Sequence, residues 1–366
     1  MKIDIITRHA VANYGSLLQS YATQKTFEKL GFDVEFINYT RYDERAEGLA
    51  KTHVKGKKWD KNIITRKLYI AIQKWNYAHM YKAFEKYRKN FINETEIQYG
   101  DMEELLKNRP KADIFCTGSD QIWGKIGQTE YDPAYFLEFA NKEKCISYAA
   151  SFGKEKISKE LKQKLPELLE KYSQILVRED SAVDIVKDAG FANVQQVLDP
   201  TLLLEKEEWE KLTNTMPKEK NYVLVYQLHN NKAFNKYAKE FAKKHNKRLI
   251  RVSTSLYHIV RGGKFIYLPD QFQMLSYFLN ADYILTDSFH ATVFSIIFNK
   301  KFKDILPNET STRIISILKL VGLEDRILKD YNDFDSIDKE INYGGINNIL
   351  SKERKKSIKA LENAIK

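Results

Sequence analysis

The stretch ADYILTDSFHATVFSIIF, from Ala281 to Phe298, carries a strand pattern that passes directly into a helix pattern. The short apolar run Ala281–Leu285 predicts a buried strand, and the apolar run Ala291–Phe298 predicts a helix. Strand and helix patterns alternate in this way along almost the whole chain. Such alternation is typical of parallel sheets joined by right-handed crossovers. The sequence therefore predicts an α/β protein with two Rossmann-like lobes, parallel sheets and a cleft between the lobes.

The junction between that strand and that helix holds Asp287, Ser288 and His290. In open α/β sheets, ligands bind outside the carboxyl ends of the strands. The start of a helix adds free backbone N–H groups that favour anions, and imidazole is the side chain best suited to proton transfer near neutral pH. The functional interpretation is an anion-handling catalytic site. The alternative, which spacing alone favours, is an ordinary helix cap by Asp287 or Ser288 beside a packed histidine.

The length of 366 residues suggests two domains, since single hydrophobic cores stop growing near about 250–300 residues. The stretch Glu205–Lys220 is rich in Glu and Lys, contains Pro217 and lacks a strong core pattern, so we place the boundary there. We predict an N-terminal lobe over residues 1–209 and a C-terminal lobe over residues 218–335. A helical tail over residues 336–366 could pack back on the N-terminal lobe.

Composition and charge limit the possible partners and compartments. A net charge of +11 attracts anionic partners, which include nucleic acid, anionic lipid and phosphorylated metabolites. Recognisable nucleic-acid modules and metal-binding motifs are missing, so we expect no nucleic acid and no metal. Cys116 and Cys145 lie in strand-like runs and are interpreted as buried thiols of a reducing compartment. Without a signal-peptide pattern or a run of about 20 apolar residues, we expect a cytoplasmic protein, with peripheral contact at the inner face of the membrane left open.

A helical insertion over residues 56–92 interrupts the first lobe, on what we expect to be the acceptor side. Between Ile64 and Phe91, apolar residues recur at steps of three to five and form a long stripe on one helical face. Lysines and arginines occupy the other face. The interpretation that we favour is a helix that covers the lobe and leaves its basic face in solvent. The alternative is contact with an anionic membrane or a lipid-linked substrate.

Two polar turns follow predicted strands of the first lobe. A small turn with a glycine, placed after strand one, is where α/β domains approach phosphates or sugars, although this turn lacks the GxGxxG fingerprint. The residues of this first turn that we expect to line a pocket are Asn13, Tyr14, Gly15, Ser16 and Gln19. The alternative is an ordinary turn in which Ser16 caps a helix over Leu17–Leu30.

The second polar turn, GSDQIW at residues 118–123, follows a strand predicted over Asp113–Thr117. Its first residue permits close backbone approach, and its carboxylate could orient or deprotonate a hydroxyl. The indole of Trp123 offers a flat apolar face of the kind that packs on sugar rings. The pocket-lining residues that we expect from this turn, besides Asp120, are Gly118, Ser119, Gln121 and Trp123.

Two arginines lie at strand or helix ends in the predicted fold. Arg178 directly follows a predicted strand, and Arg313 lies near the start of a helix predicted over Thr310–Val321. A guanidinium suits the fork-like binding of carboxylate or phosphate. The alternative is a salt bridge to neighbouring carboxylates. His229 also follows a predicted strand, but a lone histidine there is more often structural.

Taken together, these motifs resemble the polysaccharide pyruvyl transferase family. The motifs occur in the order NYGSLLQSYA (13–22), GSDQIW (118–123), ISYAASFG (146–153), VREDS (177–181) with LDPTLLL (198–204), and LPDQFQMLSYFLNADYILTDSFHATVFSIIF (268–298). They cover most of the chain. Two positions depart from the family pattern: Ala291 stands where the family usually has Gly, which a helix tolerates, and Ser288 stands where some members have a basic residue.

The resemblance implies a GT-B-like fold and a transferase. Family members move the enolpyruvyl unit of phosphoenolpyruvate onto two hydroxyls of a sugar, so the implied products are a cyclic pyruvate ketal and phosphate. The implied partners are phosphoenolpyruvate and a sugar or lipid-linked oligosaccharide acceptor, with no metal or organic cofactor. In this chemistry His290 would be the acid or base, and Asp120 would act on the acceptor hydroxyl. The implied donor-binding residues are Arg178, Arg313, Ser288 and Asp287.

Two other functions fit the predicted fold, because fold does not fix function. A nucleotide-sugar glycosyltransferase would need a base-and-ribose pocket in the second lobe. A non-enzymatic protein could bind glycans or a membrane surface through the basic aromatic helix.

Overall fold

The computed structural model describes residues 1–127, 129–213, 216–307 and 311–366. It contains two β-sheets, one of seven strands and one of five, and the strand pairs within both sheets are parallel. Helices connect successive strands, which is the arrangement that the alternating pattern predicts. The molecule therefore has two Rossmann-like lobes.

The N-terminal lobe is built on the seven-stranded sheet, whose strands lie in the order β2-β1-β3-β5-β6-β7, with β4 paired to β5. Its strands are β1 (Lys2–Ile6), β2 (Asp33–Phe36), β3 (Ile114–Thr117), β4 (Asp120–Gln121), β5 (Lys144–Ser151), β6 (Tyr172–Val177) and β7 (Val194–Gln196). The helices in this part of the chain are α1 (Tyr14–Lys29), α2 (Ala46–Val54), α3 (Ile63–Lys89), α4 (Met102–Lys107), α5 (Lys159–Leu169), α6 (Asp180–Asp188) and α7 (Lys206–Glu210).

The C-terminal lobe is built on the five-stranded sheet, whose strands lie in the order β10-β9-β8-β11-β12. Its strands are β8 (Tyr222–Tyr226), β9 (Arg248–Ser253), β10 (Lys264–Tyr267), β11 (Tyr283–Thr286) and β12 (Lys301–Asp304). The helices that follow are α8 (Lys232–Lys244), α9 (Gln271–Asn280), α10 (Phe289–Ile297), α11 (Thr312–Val321) and α12 (Tyr343–Ile365). The helix predicted from residue 310 thus starts at Thr312 among the described residues, and Thr310 itself lies outside them.

Each sheet has one topological switch point, where the strand order reverses. In the N-terminal lobe this point lies between β1 and β3, and in the C-terminal lobe it lies between β8 and β11. Ligands of doubly wound sheets bind outside the carboxyl ends of the strands at such points. The ends of β1 and β3 lead into the two polar turns, and the end of β11 leads to His290. The fold therefore directs the predicted site residues toward one cleft.

The first helix begins three residues earlier than its apolar pattern predicts. The side chain of Asn13 accepts hydrogen bonds from the backbone N–H groups of Gly15 (2.8 Å) and Ser16 (3.3 Å), which fixes the start of α1 at Tyr14. Ser16 is therefore not the cap of this helix, and that alternative is wrong. Its hydroxyl is instead available to the cleft.

The two lobes share an apolar contact made by α7. Trp209 is fully buried, its indole N–H donates to the Thr201 carbonyl (3.0 Å), and its ring packs edge-on against Phe294 of α10 at 5.0 Å. A second contact between the lobes comes from Tyr14 of α1, whose hydroxyl donates a hydrogen bond to the backbone carbonyl of Pro269 in the C-terminal lobe. The segment that we expected to lack core contacts thus supplies one of the largest core side chains.

Helix α3 covers the N-terminal lobe with its carboxyl-terminal half only. Phe84 and Arg88 are the buried residues among its described side chains. The amino-terminal half exposes Ile64, Leu68 and Trp75, with 73%, 60% and 67% of their surface accessible. The interpretation of a covering helix with only its basic face in solvent is therefore wrong for this half, because no neighbouring element lies over these side chains in the described structure.

The C-terminal helix α12 contacts the N-terminal lobe. The Ser357 hydroxyl accepts a hydrogen bond from the backbone N–H of Leu198 (2.9 Å), and α12 packs against β5 and β6. Leu350 and Leu361 on its inner face are buried. Among the described residues, none of the helices is both long and apolar enough to cross a membrane.

Candidate active site

The two switch points open into one pocket of about 340 Å³ between the lobes, which we call the switch-point pocket. The turn before α1 and the end of β3 form its N-terminal wall, and the start of α10 forms its C-terminal wall. The predicted site residues in its lining are Asn13, Ser16, Asp120, Gln121, Asp287, Ser288, His290 and Arg313. Residues far apart in the sequence thus meet in a single cavity, whose size suits a small ligand.

His290 is the second residue of α10 and is buried in the wall of this pocket. Its Nε2 atom has no hydrogen-bond partner among the described residues and lies 3.8 Å from Oδ2 of Asp199. Burial lowers the pKa of His290 to about 4, against the opposing pull of Asp199 and Asp120. At neutral pH the unliganded imidazole is therefore uncharged and can accept a proton or a hydrogen bond.

Asp120 faces His290 from the N-terminal lobe. Its φ of +99° is a conformation that residues other than glycine rarely adopt, and such strain is found at functional sites. Oδ2 accepts a hydrogen bond from the Ser16 hydroxyl (2.6 Å), and Oδ1 accepts from the Gln121 backbone N–H (2.8 Å). Burial acts to raise the pKa of Asp120, but the nearby charges of Arg178 and Arg313 help to hold it well below its usual value. The side chain is therefore a fixed carboxylate.

Arg178 lies at the centre of a buried polar cluster below the pocket. Its Nη1 donates to Oδ2 of Asp199 (2.8 Å) and to the Ser119 hydroxyl (3.3 Å). Its Nη2 lies 3.9 Å from Oδ1 of Asp120, and both Nε and Nη2 lack hydrogen-bond partners among the described residues. Burial disfavours the charged guanidinium, but Asp199, Glu179 and Asp120 raise its pKa above the usual value. Arg178 therefore keeps a permanent charge with N–H groups to spare.

A second guanidinium approaches the same carboxylate. Nη1 of Arg313 lies 3.8 Å from Oδ1 of Asp120, and its Nε has no partner among the described residues. Both guanidiniums also lie near the ring of Phe289, that of Arg178 at 4.7 Å from its centroid and that of Arg313 at 5.5 Å. Burial, followed by repulsion from Arg178, lowers the pKa of Arg313 to about 10. An added anion would relieve this repulsion.

A smaller cavity of about 320 Å³ adjoins the switch-point pocket, because Phe289 and Arg313 line both. Arg178 and Asp199 also line it. The smaller cavity thus exposes both guanidiniums to one space, and Arg313 also faces the switch-point pocket. This arrangement suits a small ligand with two anionic groups.

Asp287, which we predict as a donor-binding residue, holds a loop instead. Its carboxylate accepts hydrogen bonds from the backbone N–H groups of Leu228 (2.7 Å) and His229 (2.9 Å), and His229 Nδ1 lies 3.2 Å from Oδ2. A carboxylate would also repel an anionic donor. The residue therefore positions the loop after β8, and its part in donor binding stays a prediction. The hydroxyl of Ser288 makes no capping bond and stays free to face the pocket.

Several residues that we predict to line the acceptor pocket lie below its surface. The indole of Trp123 is fully buried, stacks on Phe136 at 5.5 Å and donates to the Tyr135 carbonyl (3.1 Å), so it cannot pack on a sugar ring. The residues of this prediction that lie outside the pocket lining are Tyr14, Gly15, Gln19, Gly118, Ser119 and Trp123. They act as framework, and Ser119 does so by its bond to the Arg178–Asp199 pair.

Two charged residues of the site were not predicted. Arg8 follows β1, lines the pocket and donates to the Glu44 carboxylate. Asp199 follows β7, is fully buried and accepts from the Thr201 backbone N–H (3.0 Å) as well as from Arg178. Both arise from a signal that identified Arg178, namely a charged residue directly after a strand. Applied to every strand, that signal would have found them.

A comparison with known protein families gives a match over most of the chain. The family described as polysaccharide pyruvyl transferase matches residues 13–302, a span that runs from the first polar turn through α10. No curated protein sequence matches the chain.

Solved structures of similar fold belong to GT-B proteins. A UDP-N-acetylglucosamine 2-epimerase from Rickettsia bellii superposes with a TM-score of 0.55 at 13% identity, over 99% of this chain and 96% of that chain. The MnaA protein of S. aureus, in a UDP co-structure, gives a TM-score of 0.53 at 11% identity, over 92% and 85% of the two chains. A UDP-GlcNAc 2-epimerase from Neisseria meningitidis, bound to UDP-GlcNAc, gives 0.52 at 10% identity, over 100% and 99%. At these identities the likeness establishes the GT-B-like fold alone.

Proposed function

This chain belongs to the polysaccharide pyruvyl transferase family, and we propose that it transfers the pyruvyl group of phosphoenolpyruvate to two hydroxyls of a sugar. The products are a pyruvate ketal and free phosphate, and the sugar belongs to a polysaccharide or its lipid-linked precursor. The observation that supports this proposal most directly is the unpaired Nε2 of His290 in a pocket shared with the guanidinium of Arg313. The imidazole of His290 suits proton transfer, and the guanidinium of Arg313 suits the binding of an anionic donor.

Phosphoenolpyruvate carries a carboxylate and a phosphate, and the proposed donor site offers a guanidinium for each. Arg178 and Arg313 have N–H groups without partners among the described residues, and both line the smaller cavity beside Phe289. Arg178 is anchored by Asp199, so its position is set before the donor arrives. Charge-assisted bonds of this kind are about twice as strong as neutral ones. We assign donor binding to these two arginines, with Ser288 at the start of α10 as a further hydrogen-bonding group.

The proposed reaction begins with proton delivery to the methylene carbon of the donor. This step gives C2 cationic character, and the first sugar hydroxyl forms a bond to C2. The bond between C2 and the phosphate oxygen then breaks, and the second hydroxyl closes the ketal. The proton of the first sugar hydroxyl leaves with the phosphate. The proton of the second sugar hydroxyl returns to the catalytic acid and replaces the proton that it gave to the methylene carbon. Atoms and charges balance without any oxidation or reduction, so the reaction needs no redox cofactor.

His290 is the residue that we assign to both proton transfers. In the unliganded protein its imidazole is neutral at pH 7, since its pKa is about 4. A bound phosphoenolpyruvate places negative charge beside the ring and raises that pKa, so the imidazolium becomes available as the acid. After it has delivered its proton, the neutral ring accepts the proton of the second hydroxyl. General acid–base catalysis of this kind contributes typically ~10²–10⁴-fold to the rate.

Asp120 is the group that we assign to the acceptor hydroxyl. Its two carboxylate oxygens keep acceptor capacity beyond the bonds from Ser16 and Gln121. Because its pKa is held low, the carboxylate orients a hydroxyl by accepting its hydrogen bond and is a weak base. Asn13 and Gln121 line the pocket beside it and would contact the remaining hydroxyls of the sugar.

The test is phosphate release from phosphoenolpyruvate with a panel of aryl and lipid-linked glycosides. We expect release that depends on the acceptor, and a product heavier by one pyruvate less one water. His290→Ala should lower the rate by about 10²-fold or more while phosphoenolpyruvate still binds. Arg248→Ala, at the exposed start of β9, is the control and should keep the wild-type rate. No release with any acceptor, together with binding of nucleotide diphosphates, would overturn the proposal in favour of glycosyl transfer.

A further inference from the structure

The largest cavity described in the protein lies beside the switch-point pocket. It has a volume of about 890 Å³ and is bounded by the insertion helices on one side and by the ends of β8 and β9 on the other. We call it the aromatic cavity, after the six tryptophan and tyrosine side chains in its lining, which are Trp59, Tyr69, Trp75, Tyr77, Tyr226 and Tyr257. Nothing in the proposed donor chemistry uses this space.

The aromatic cavity and the switch-point pocket share part of their walls. Ala12, Met80 and Leu228 line both. A ligand with one end near His290 can therefore extend past Met80 into the aromatic cavity. The two spaces together are long enough for a substrate larger than one sugar ring, which the 340 Å³ of the switch-point pocket alone would not hold.

Two buried arginines at the C-terminal side of the aromatic cavity lack a carboxylate partner among the described residues. Arg251 on β9 is 2% exposed, and Arg261, which lines the cavity, is 6% exposed. Arg251 donates from Nε to the Gly262 carbonyl (2.9 Å) and from Nη1 to Gln227 Oε1 (3.4 Å), but its Nη2 has no partner in the described structure. Nε and Nη1 of Arg261 have none either.

An unpaired guanidinium in a buried position is costly, and two of them close together are costlier. Burial, followed by the charge of Arg261, lowers the pKa of Arg251 to about 10. His258 lies in the same lining and bonds Ser253 Oγ through Nδ1 (2.8 Å). Burial and the two arginines lower the pKa of His258 to about 4. The charge of Asp287 reaches Arg261 and His258, but no described carboxylate forms an ion pair with either arginine, so their free N–H groups can accept an added anion.

We infer that Arg251 and Arg261 bind the phosphate or diphosphate of the acceptor, so that the acceptor is a sugar joined to its carrier through a phosphoryl group. The planar faces of Trp59, Trp75 and Tyr257 would hold the carrier or neighbouring sugar, and the sugar to be modified would reach His290 past Met80. This inference rests on the proposed function for the identity of the acceptor, but the anion site itself does not.

The first test is binding of inorganic pyrophosphate, measured by calorimetry. We expect Arg251→Gln and Arg261→Gln each to weaken binding by about tenfold or more, as for the loss of hydrogen bonds to a charged group. Arg248→Gln, three residues earlier in the same strand and exposed, is the matched control and should bind as the wild type does. Weakening that follows Arg313→Ala alone would place the anion at the donor site and overturn the inference. So would an absence of binding to the wild-type protein.

A variant could lose pyrophosphate binding because it misfolds or because it lacks the anion site, and its melting temperature distinguishes the two. Nε and Nη1 of Arg261 make no hydrogen bond among the described residues that its replacement would break, so Arg261→Gln should melt no lower than the wild-type protein in the absence of ligand. Arg261→Lys keeps the charge and should restore part of the pyrophosphate binding. Full binding by the glutamine variant at an unchanged melting temperature would contradict the inference.

Two competitors distinguish the sources of the phosphoryl group. Geranyl diphosphate represents a lipid carrier and uridine diphosphate a nucleotide carrier. Displacement of pyrophosphate by either one, in wild-type protein and not in Arg251→Gln, supports the inference and identifies the carrier class. Displacement by neither overturns it. In turnover, Arg251→Gln should raise the KM for a glycosyl diphosphate about tenfold or more and leave that for an aryl glycoside unchanged. If no acceptor turns over, the proposed function fails while the pyrophosphate result still decides the anion site.

Discussion

Gly15 of α1 lies against the imidazole of His290 across the cleft between the lobes. A Cβ atom placed on Gly15 would come within 2.1 Å of Nδ1 and 2.6 Å of Cγ of that ring. The N-terminal lobe therefore supports the ring that the C-terminal lobe supplies. This contact gives a physical reason for a glycine in the first polar turn: the turn makes room for the imidazole, and no phosphate is needed to explain it.

We predict that Gly15→Ala lowers the turnover number without unfolding the protein. The added methyl group must push the imidazole away from its place in the pocket, because the nearest approach lies far below van der Waals contact. Since proton transfer contributes typically ~10²–10⁴-fold, we expect turnover to fall by about 10²-fold. The measurement is the rate of phosphate release, with phosphoenolpyruvate binding and circular dichroism recorded on the same protein.

The control for this prediction is Gly344→Ala at the start of α12. A Cβ there would meet only the side-chain oxygen of Asn342, at the ordinary contact distance of 3.5 Å. We expect wild-type turnover from this variant. If Gly15→Ala also kept wild-type turnover, the tight packing of glycine against His290 would be irrelevant to catalysis.

The two donor-site arginines should respond differently to replacement. Arg178 is bonded to the buried carboxylate of Asp199, and removing one partner of such a pair costs about 3–5 kcal/mol of stability. Arg313 approaches Asp120 at 3.8 Å without a hydrogen bond, and its own charge is disfavoured by burial and by Arg178. We therefore expect Arg313→Ala to weaken phosphoenolpyruvate binding by about tenfold or more with little change in stability. Arg178→Ala should both weaken phosphoenolpyruvate binding and lower the free energy of unfolding.

Urea unfolding and calorimetric titration on the same two variants check this prediction. Arg178→Met combined with Asp199→Asn removes both charges and should recover part of the lost stability, while donor binding stays weak. Equal losses of stability in Arg178→Ala and Arg313→Ala would contradict the difference in their partners.

The order of strands and helices could be predicted from the sequence because their apolar periodicities are strong. The strand predicted over Ala281–Leu285 and the helix over Ala291–Phe298 appear as Tyr283–Thr286 and Phe289–Ile297. The shifts at their ends follow from capping and turn geometry, which periodicity does not encode. The GT-B-like fold expected from the family resemblance is also present.

The pocket lining could be predicted only in part, because the side chains of one short segment can face either the pocket or the core. In GSDQIW, Asp120 and Gln121 face the pocket, whereas Trp123 enters the core against Phe136. The exposure of half of α3 was missed for a related reason, since an apolar stripe does not reveal whether another element covers it. Such details depend on tertiary packing and need coordinates.

A buried carboxyl group beneath α10 should make stability depend on pH. Asp304 ends β12, Oδ1 accepts from the Thr292 hydroxyl (2.6 Å), and Oδ2 has no partner among the described residues. Burial raises its pKa to about 8, with Thr292 opposing and Asp287 adding to the shift. The pKa of this carboxyl group thus rises from about 3.9 in the unfolded chain to about 8 in the folded protein. Its contribution to the free energy of unfolding is therefore fully present below pH about 3.9 and is lost as the pH rises through about 8.

We therefore predict that Asp304→Asn is more stable than the wild-type protein at pH 9, and that this advantage shrinks toward pH 5. The amide resembles the protonated carboxyl in shape and stays neutral at every pH. Urea unfolding at pH 5, 7 and 9 gives the free energies, and the exposed Asp188→Asn is the control. A constant difference between Asp304→Asn and wild type at all three pH values would refute the raised pKa.

The exposed half of α3 presents apolar and basic groups together. Ile64, Leu68 and Trp75 follow one another at helical spacing, and Lys67 and Lys74 adjoin them in sequence. Helices with this combination bind at the interface of anionic membranes, where apolar burial and charge attraction add. Peripheral membrane contact by this protein stays a prediction, and α3 is the surface on which we expect it.

The test is cosedimentation with vesicles of phosphatidylglycerol and, separately, of phosphatidylcholine. We expect binding to the anionic vesicles that weakens with salt, because surface charges are screened over about 10 Å at 0.1 M ionic strength. Ile64→Ser, Leu68→Ser and Trp75→Ser combined should weaken binding by about tenfold or more, since each exposed apolar side chain is worth up to about 1.5–3 kcal/mol when buried. Leu106→Ser, an exposed leucine on α4, is the control. Vesicle binding that survives the triple change would mean that α3 is not the contacting surface.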